Sequence, residues 1–102
     1  MSEDTDRPVR IQLPDNVSKY SETPEFDETT VPAKLTRAHR TKASTWGRLA
    51  VSASTLECVI PGPPMQSRLV SDEESIIIEP ALEHFVRCPG KVSFRIEFYR
   101  ET

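Results

Sequence analysis

The chain reads as an all-β protein, a small jelly-roll or barrel built on one core. Three observations predict this. Short runs rich in β-branched and aromatic residues alternate with polar ones at period two, the spacing of a strand with one buried face. From Pro32 onward, proline, glycine and acidic clusters break these runs at short intervals. No window carries the 3.6-residue apolar periodicity of a three-turn helix. With 102 residues, a second core would leave each too little buried surface to offset chain entropy.

Residues 1–19 hold Pro8, Pro14, Asp15-Asn16 and many charges, with only Val9, Ile11, Leu13 and Val17 to bury. They read as a loose arm with one short strand at VRIQL, and residues 20–102 as the domain. KLTRAHRTK predicts a strand that shows Leu35, Arg37, His39 and Thr41 on one face. Lys34, Thr36, Ala38, Arg40 and Lys42 then face outward. In RLAVSA the inward set is Leu49, Val51 and Ala53, and in TLECVI it is Leu56, Cys58 and Ile60. PGPP, residues 61–64, stops pairing because proline has no amide donor. SDEES is a polar turn into IIIE, which is too short and too β-branched for a helix. After Pro80, HFVRC puts His84, Val86 and Cys88 on one face, and Pro89-Gly90 turns the chain again. The last run, KVSFRIEFYR, aims Val92, Phe94, Ile96 and Phe98 one way and Lys91, Ser93, Arg95, Glu97 and Tyr99 the other. About seven such strands, closed around a shared apolar face, also hide the edges that would otherwise aggregate.

Composition narrows the function. At 36% hydrophobic and 28% charged the chain is neither disordered nor membrane-embedded, and no apolar run nears the roughly 20 residues that span a bilayer. The acidic start MSEDTDRPVR is unlike a secretory signal, so a cytoplasmic location is expected, with no membrane partner and with Cys58 and Cys88 as free, buried thiols. The net charge is −3; residues 1–31 carry eight acids against three bases, and residues 32–102 ten bases against eight acids. Such a nearly neutral, scattered balance predicts no nucleic-acid partner. A G-x-S-x-G elbow and a glycine-rich phosphate loop are both missing, Gly47, Gly62 and Gly90 being the only glycines.

Polar residues on inward faces are the candidate site. His39 and His84 come from separate strands, and an imidazole inside a barrel either finds hydrogen-bond partners or ligates a metal. Glu79 ends IIIE just before the Pro80 turn towards His84. It could complete a set of two histidines and a carboxylate, or pair with Arg37 or Arg48 at the rim. Thr41 shares the face of His39 and could pack there or hydrogen-bond to a ligand. Cys88 shares the face of His84, as a metal-binding thiolate or an inert thiol. Trp46 could be a core aromatic or the wall of an apolar pocket.

The phrases HRTKASTWG, IEPALEH and FRIEFYR, within TVPAKLTRAHRTKASTWGRL and IIIEPALEHFVRCPGKVSFRIEFYR, resemble the YeaR/TehB-like small cupins, whose domain also occurs fused to tellurite-resistance methyltransferases. The likeness runs from about Tyr20 to Arg100. It implies a double-stranded β-helix with a pocket in the barrel mouth. In the wider superfamily the metal motif is a histidine, a second histidine two residues on and a glutamate about five further, with one more histidine on a later strand. His39 and His84 stand at the first and last positions, but Thr41 and Trp46 occupy the middle two, so two usual ligands are absent.

Two readings of function follow. In the first, one divalent ion (Zn, Fe, Ni or Mn) held by His39, His84 and Glu79 acts on a small ligand, with Arg37, Thr41, Trp46, Arg48 and Cys88 lining the pocket. In the second, the pocket binds a small molecule or anion without stoichiometric metal, or serves only as a protein-interaction module. Whether the domain is an enzyme stays open between them. A homodimer formed through the VRIQL arm is a further expectation.

Overall fold

The computed structural model describes the backbone of residues 9–10 and the whole of residues 12–102. Among the described residues, ten strands fall into two antiparallel sheets: β1 (Val9–Arg10), β2 (Val17–Glu22), β3 (Phe26–Asp27), β4 (His39–Arg40), β5 (Trp46–Ser54), β6 (Leu56–Ile60), β7 (Gln66–Val70), β8 (Ser75–Ile78), β9 (Glu83–Arg87) and β10 (Val92–Glu101). One sheet runs β1-β8-β5-β10-β2, with β3 also paired to β10, and the other runs β4-β9-β6-β7. This is the expected jelly-roll-like barrel.

Between the sheets lie Leu49 and Val51 of β5, Ile76 and Ile78 of β8, and Val92 and Phe94 of β10, packed on Leu56, Cys58, Val70 and Val86. Phe94 is fully buried, and Phe26 meets it edge-on with ring centroids 5.8 Å apart. Of these, Leu49, Val51, Leu56, Cys58, Val86, Val92 and Phe94 are the residues that alternation puts inside.

Three expectations change. KLTRAHRTK is not one strand. Pro32 pre-sets an extended φ of −60° and accepts from Leu35 N at 3.0 Å, so Ala33–Thr36 winds into a 3-10 turn and only His39–Arg40 is strand. Leu35 reaches the core from that turn, 8% exposed. Ala53 is exposed because the β5–β10 register slips beside Ser52: Val51 pairs with Phe94 and Ala53 with Ser93. The extra residue breaks the alternation. Finally, of the VRIQL arm, Val9–Arg10 pairs with Ile78 and Ile77 of its own β8, while Ile11 lies outside the described residues.

At PGPP, where the sequence predicts an end to pairing, both Gly62-Pro63 and Pro63-Pro64 are cis. Gly62 has φ +78°, and the backbone of Pro64 fills the space a Cβ would need. Cys58 is buried with its thiol pushed up to about 12, first by desolvation and then by Glu57, whereas Cys88 is only half-buried; both are free thiols. Among the described residues, no helix is long and apolar enough to cross a membrane.

On the opposite face of the larger sheet one carboxylate ties three strands. Glu97 of β10 is 4% exposed. It accepts from Arg48 Nη1 of β5 at 3.0 Å, Arg95 Nη2 at 2.9 Å and Tyr99 OH at 2.8 Å, and Arg48 Nε donates to Ser75 Oγ of β8 at 3.1 Å. Burial would raise the Glu97 pKa, but the hydrogen bonds from Tyr99, Arg48 and Arg95 outweigh it and hold the carboxyl at about 2. A carboxyl held below its ordinary value contributes stability at neutral pH that is lost as pH falls through the window from 4.5 to about 2. Glu97→Gln should cost roughly 2 kcal/mol at pH 7, a figure discounted because both arginines are partly exposed. Urea titrations at several pH values should show the wild-type advantage disappearing across that acid window; an unchanged gap would remove Glu97 as its source.

Candidate ligand site

A cavity of about 410 Å³ opens between the two sheets. Its deep side is apolar: Leu49 and Ile78, each 2% exposed, with Leu35, Ile96 and Phe98. Gly47 adds room there, since a Cβ at this position would sit 3.5 Å from Cβ of its strand partner Ile78. Tyr20, Ser21, Thr41 and Thr45 bring hydroxyls, and Tyr20 OH lies 3.2 Å from Thr45 Oγ1. Three exposed cations, Lys34, Arg40 and Lys42, complete the lining. None of the described lining residues is acidic.

His39 and His84 form one wall. They are directly paired across β4 and β9, with ring centroids 4.3 Å apart and planes tilted by 58°. His39 Nδ1 is 3.0 Å from the Arg37 carbonyl, and His84 Nδ1 is 2.7 Å from that of Leu82. A carbonyl oxygen can only accept, so each Nδ1 carries the proton and Nε2 is the polar ring atom left to face a ligand. For His84, burial pushes the pKa down and His39 adds to this, against the opposing effect of the Leu82 bond. The pair is therefore built from imidazoles turned by their own backbone.

The structure brings His39, His84 and Thr41 together at this cavity. The other expected residues lie elsewhere. Glu79 follows Ile78 and is half-buried, but it is not among the cavity-lining residues. No group of three or more histidine, cysteine, aspartate or glutamate side chains among the described residues is placed to hold a metal ion. Trp46 and Arg48 flank Gly47 on β5, so alternation turns them to the opposite face, where Arg48 is held by Glu97. Arg37 is exposed and offers its carbonyl to His39, and Cys88 packs against the core. Arg37, Trp46, Arg48 and Cys88 thus do not line the cavity. Conversely, Lys34, Arg40 and Lys42, expected outside, do line it, and residues 39–42 lie against the cavity in succession rather than alternating, since strand extends only over His39–Arg40. Phe98 was legible as the last inward residue of the β10 run; Ser21 and Tyr20 had no signal in sequence spacing.

The sequence profile of the TehB-like domain matches residues 21–96, most of the two-sheet body just described. The chain belongs to the TehB-like domain family. No curated protein matches it significantly. Among solved structures, this TehB-like domain is similar to a protein from E. coli strain K12, with 20% identity and a TM-score of 0.82 over 89% of this chain and 97% of that one. It is also similar to TehB from Haemophilus influenzae, with 22% identity and a TM-score of 0.77 over 85% of this chain but only 32% of TehB. At such identities the likeness speaks for the shared fold.

Because folded His84 resists protonation while the unfolded chain does not, stability should fall as pH drops below about 6.5, the ordinary histidine value, and stop falling once folded His84 also protonates. His84→Gln removes this loss. Chemical denaturation of both proteins between pH 7.5 and 5 should show the wild type losing more stability than the variant; parallel curves would mean that His84 is not held neutral.

Proposed function

We propose that this TehB-like domain binds a small organic anion in the mouth of its barrel. The observation that carries the reading is the sign of the lining: Lys34, Arg40 and Lys42 surround a cavity to which no described acidic residue contributes. Like charges around a low-dielectric recess add their potentials and concentrate anions there. Arg40 is also positioned, since its Nη1 donates to the Ala81 carbonyl at 3.1 Å. The deep side argues for an organic ligand. A bare oxyanion would leave Leu49, Ile78, Ile96 and Phe98 facing water, whereas a ligand with an apolar body covers them.

A resident divalent metal fits these residues poorly. Two imidazoles supply fewer ligands than the three or four of ordinary protein zinc sites, and Glu79 is not beside them. Most of Haemophilus TehB lies outside the matched part, so nothing of its activity is carried over.

Calorimetric titration with aliphatic and aromatic carboxylates should give binding that weakens with salt. Lys34→Glu and Lys42→Glu should each cost about three- to tenfold in affinity. Gly47→Val, which fills the deep side, should abolish binding while the far-ultraviolet spectrum stays native. Absence of binding by every anion at millimolar concentration overturns the proposal, and stoichiometric metal in protein purified without a histidine tag would favour the metal reading instead.

A further inference from the structure

Within the anion reading, on which this inference rests, the cations account for a ligand's charge but leave the histidine pair unexplained. Lys34, Arg40 and Lys42 offer only donors. His39 and His84 offer the opposite. Their Nδ1 protons are committed to the carbonyls of Arg37 and Leu82, so in the neutral rings the Nε2 atoms are acceptors. The rings lie 4.3 Å apart, and both residues line the same cavity.

Such a wall is served by a ligand that carries a hydrogen-bond donor of its own. An ammonium group would satisfy it chemically, but it would enter among three cations with no described acidic lining residue to offset them. A hydroxyl donates without adding charge. We propose that the His39–His84 pair selects small hydroxy acids: anions whose carboxylate meets Lys34, Arg40 and Lys42 while a neighbouring hydroxyl donates to an imidazole Nε2. His39 and His84 are then specificity-determining residues, and the deoxy analogue of a good ligand is a poor one because it leaves a desolvated acceptor without a partner.

Matched pairs differing by one hydroxyl test this: 2-hydroxybutanoate against butanoate, and mandelate against phenylacetate, titrated calorimetrically at pH 7.5 into the full chain with a chelator present. The hydroxy acid of each pair should bind about tenfold tighter. In His39→Phe, which keeps a ring in the stack but removes the acceptor, that ratio should fall towards one while the deoxy acid keeps its affinity within about threefold. His84→Phe is the second variant, with thermal melting as the check that either protein is folded. If butanoate and phenylacetate bind as well as their hydroxy partners, the hydroxyl selection is overturned and the anion reading stands. Binding by none of the four overturns both. Tighter binding of 2-aminobutanoate than of 2-hydroxybutanoate, or hydroxyl selectivity that appears only after a divalent metal is added, assigns the discrimination to something other than neutral imidazoles and overturns the inference.

Discussion

The antiparallel pairing of β5 with β10 is the constraint on which the rest depends. These two strands pair from Val92 opposite Ser54 to Tyr99 opposite Trp46. Because side chains alternate, one pairing sets two faces at once. Inward, it supplies Leu49, Val51, Val92 and Phe94 to the core, then Gly47, Ile96 and Phe98 to the cavity. Outward, it brings Arg48 beside Glu97 and lets one buried carboxylate hold Arg48, Arg95 and Tyr99. A one-residue slip of β10 would exchange its faces, carrying Glu97 with Arg95 and Tyr99 into the apolar interior and parting the carboxylate from Arg48. The ion cluster therefore reports on register as much as on stability.

The histidine pair depends on weaker parts. β4 has only two residues, and its partners on β9 are His84 and Glu83. What holds it is the turn that follows β8: Ala81 N donates to the Thr41 carbonyl at 3.0 Å, and the Ala81 carbonyl accepts from Arg40 at 3.1 Å. Leu35 anchors the other side through the 3-10 turn. Local order at the site thus comes from a few backbone bonds and one core leucine. Elements with so few contacts open at low cost, which suits a ligand-entry edge better than the β5–β10 spine would.

How much of this was legible follows the same division. β10 could be phased from the sequence because its alternation runs uninterrupted from Val92 to Phe98, whereas in TLECVI Leu56 and Cys58 join the core as expected but Val59, between Cys58 and Ile60, is fully buried as well. Ile77 shows the limit: it is 1% exposed although it alternates with the core residues Ile76 and Ile78, so both faces of β8 are covered and the IIIE run does not reveal which residues point where. The segment around His39 misled more seriously. Its residue types alternate as in a strand, but Ala33–Thr36 is a 3-10 turn, the strand that follows has two residues, and His39, Arg40, Thr41 and Lys42 all line the cavity. The two histidines survived as cavity residues because their placement comes from strand pairing. Glu79 did not, because only its proximity to His84 in sequence had supported it.

The cupin-like metal motif expected from the sequence can be set against these positions residue by residue. Residue 46, where that motif has a glutamate, lies next to Gly47 on β5, and Gly47 lines the cavity. A side chain at 46 therefore points to the other face of the sheet, and the tryptophan there removes a carboxylate that this backbone would not aim inward anyway. Residue 41 does line the cavity, and there a neutral threonine stands where the motif has an imidazole. The wall thus holds two imidazoles and no described acidic residue, while Lys34, Arg40 and Lys42 supply positive charge. Among the described lining residues that charge balance favours an anion over a cation. In a cavity of positive potential, the natural complement of an imidazole whose Nδ1 proton is committed to a backbone carbonyl is a donor borne by the anion itself.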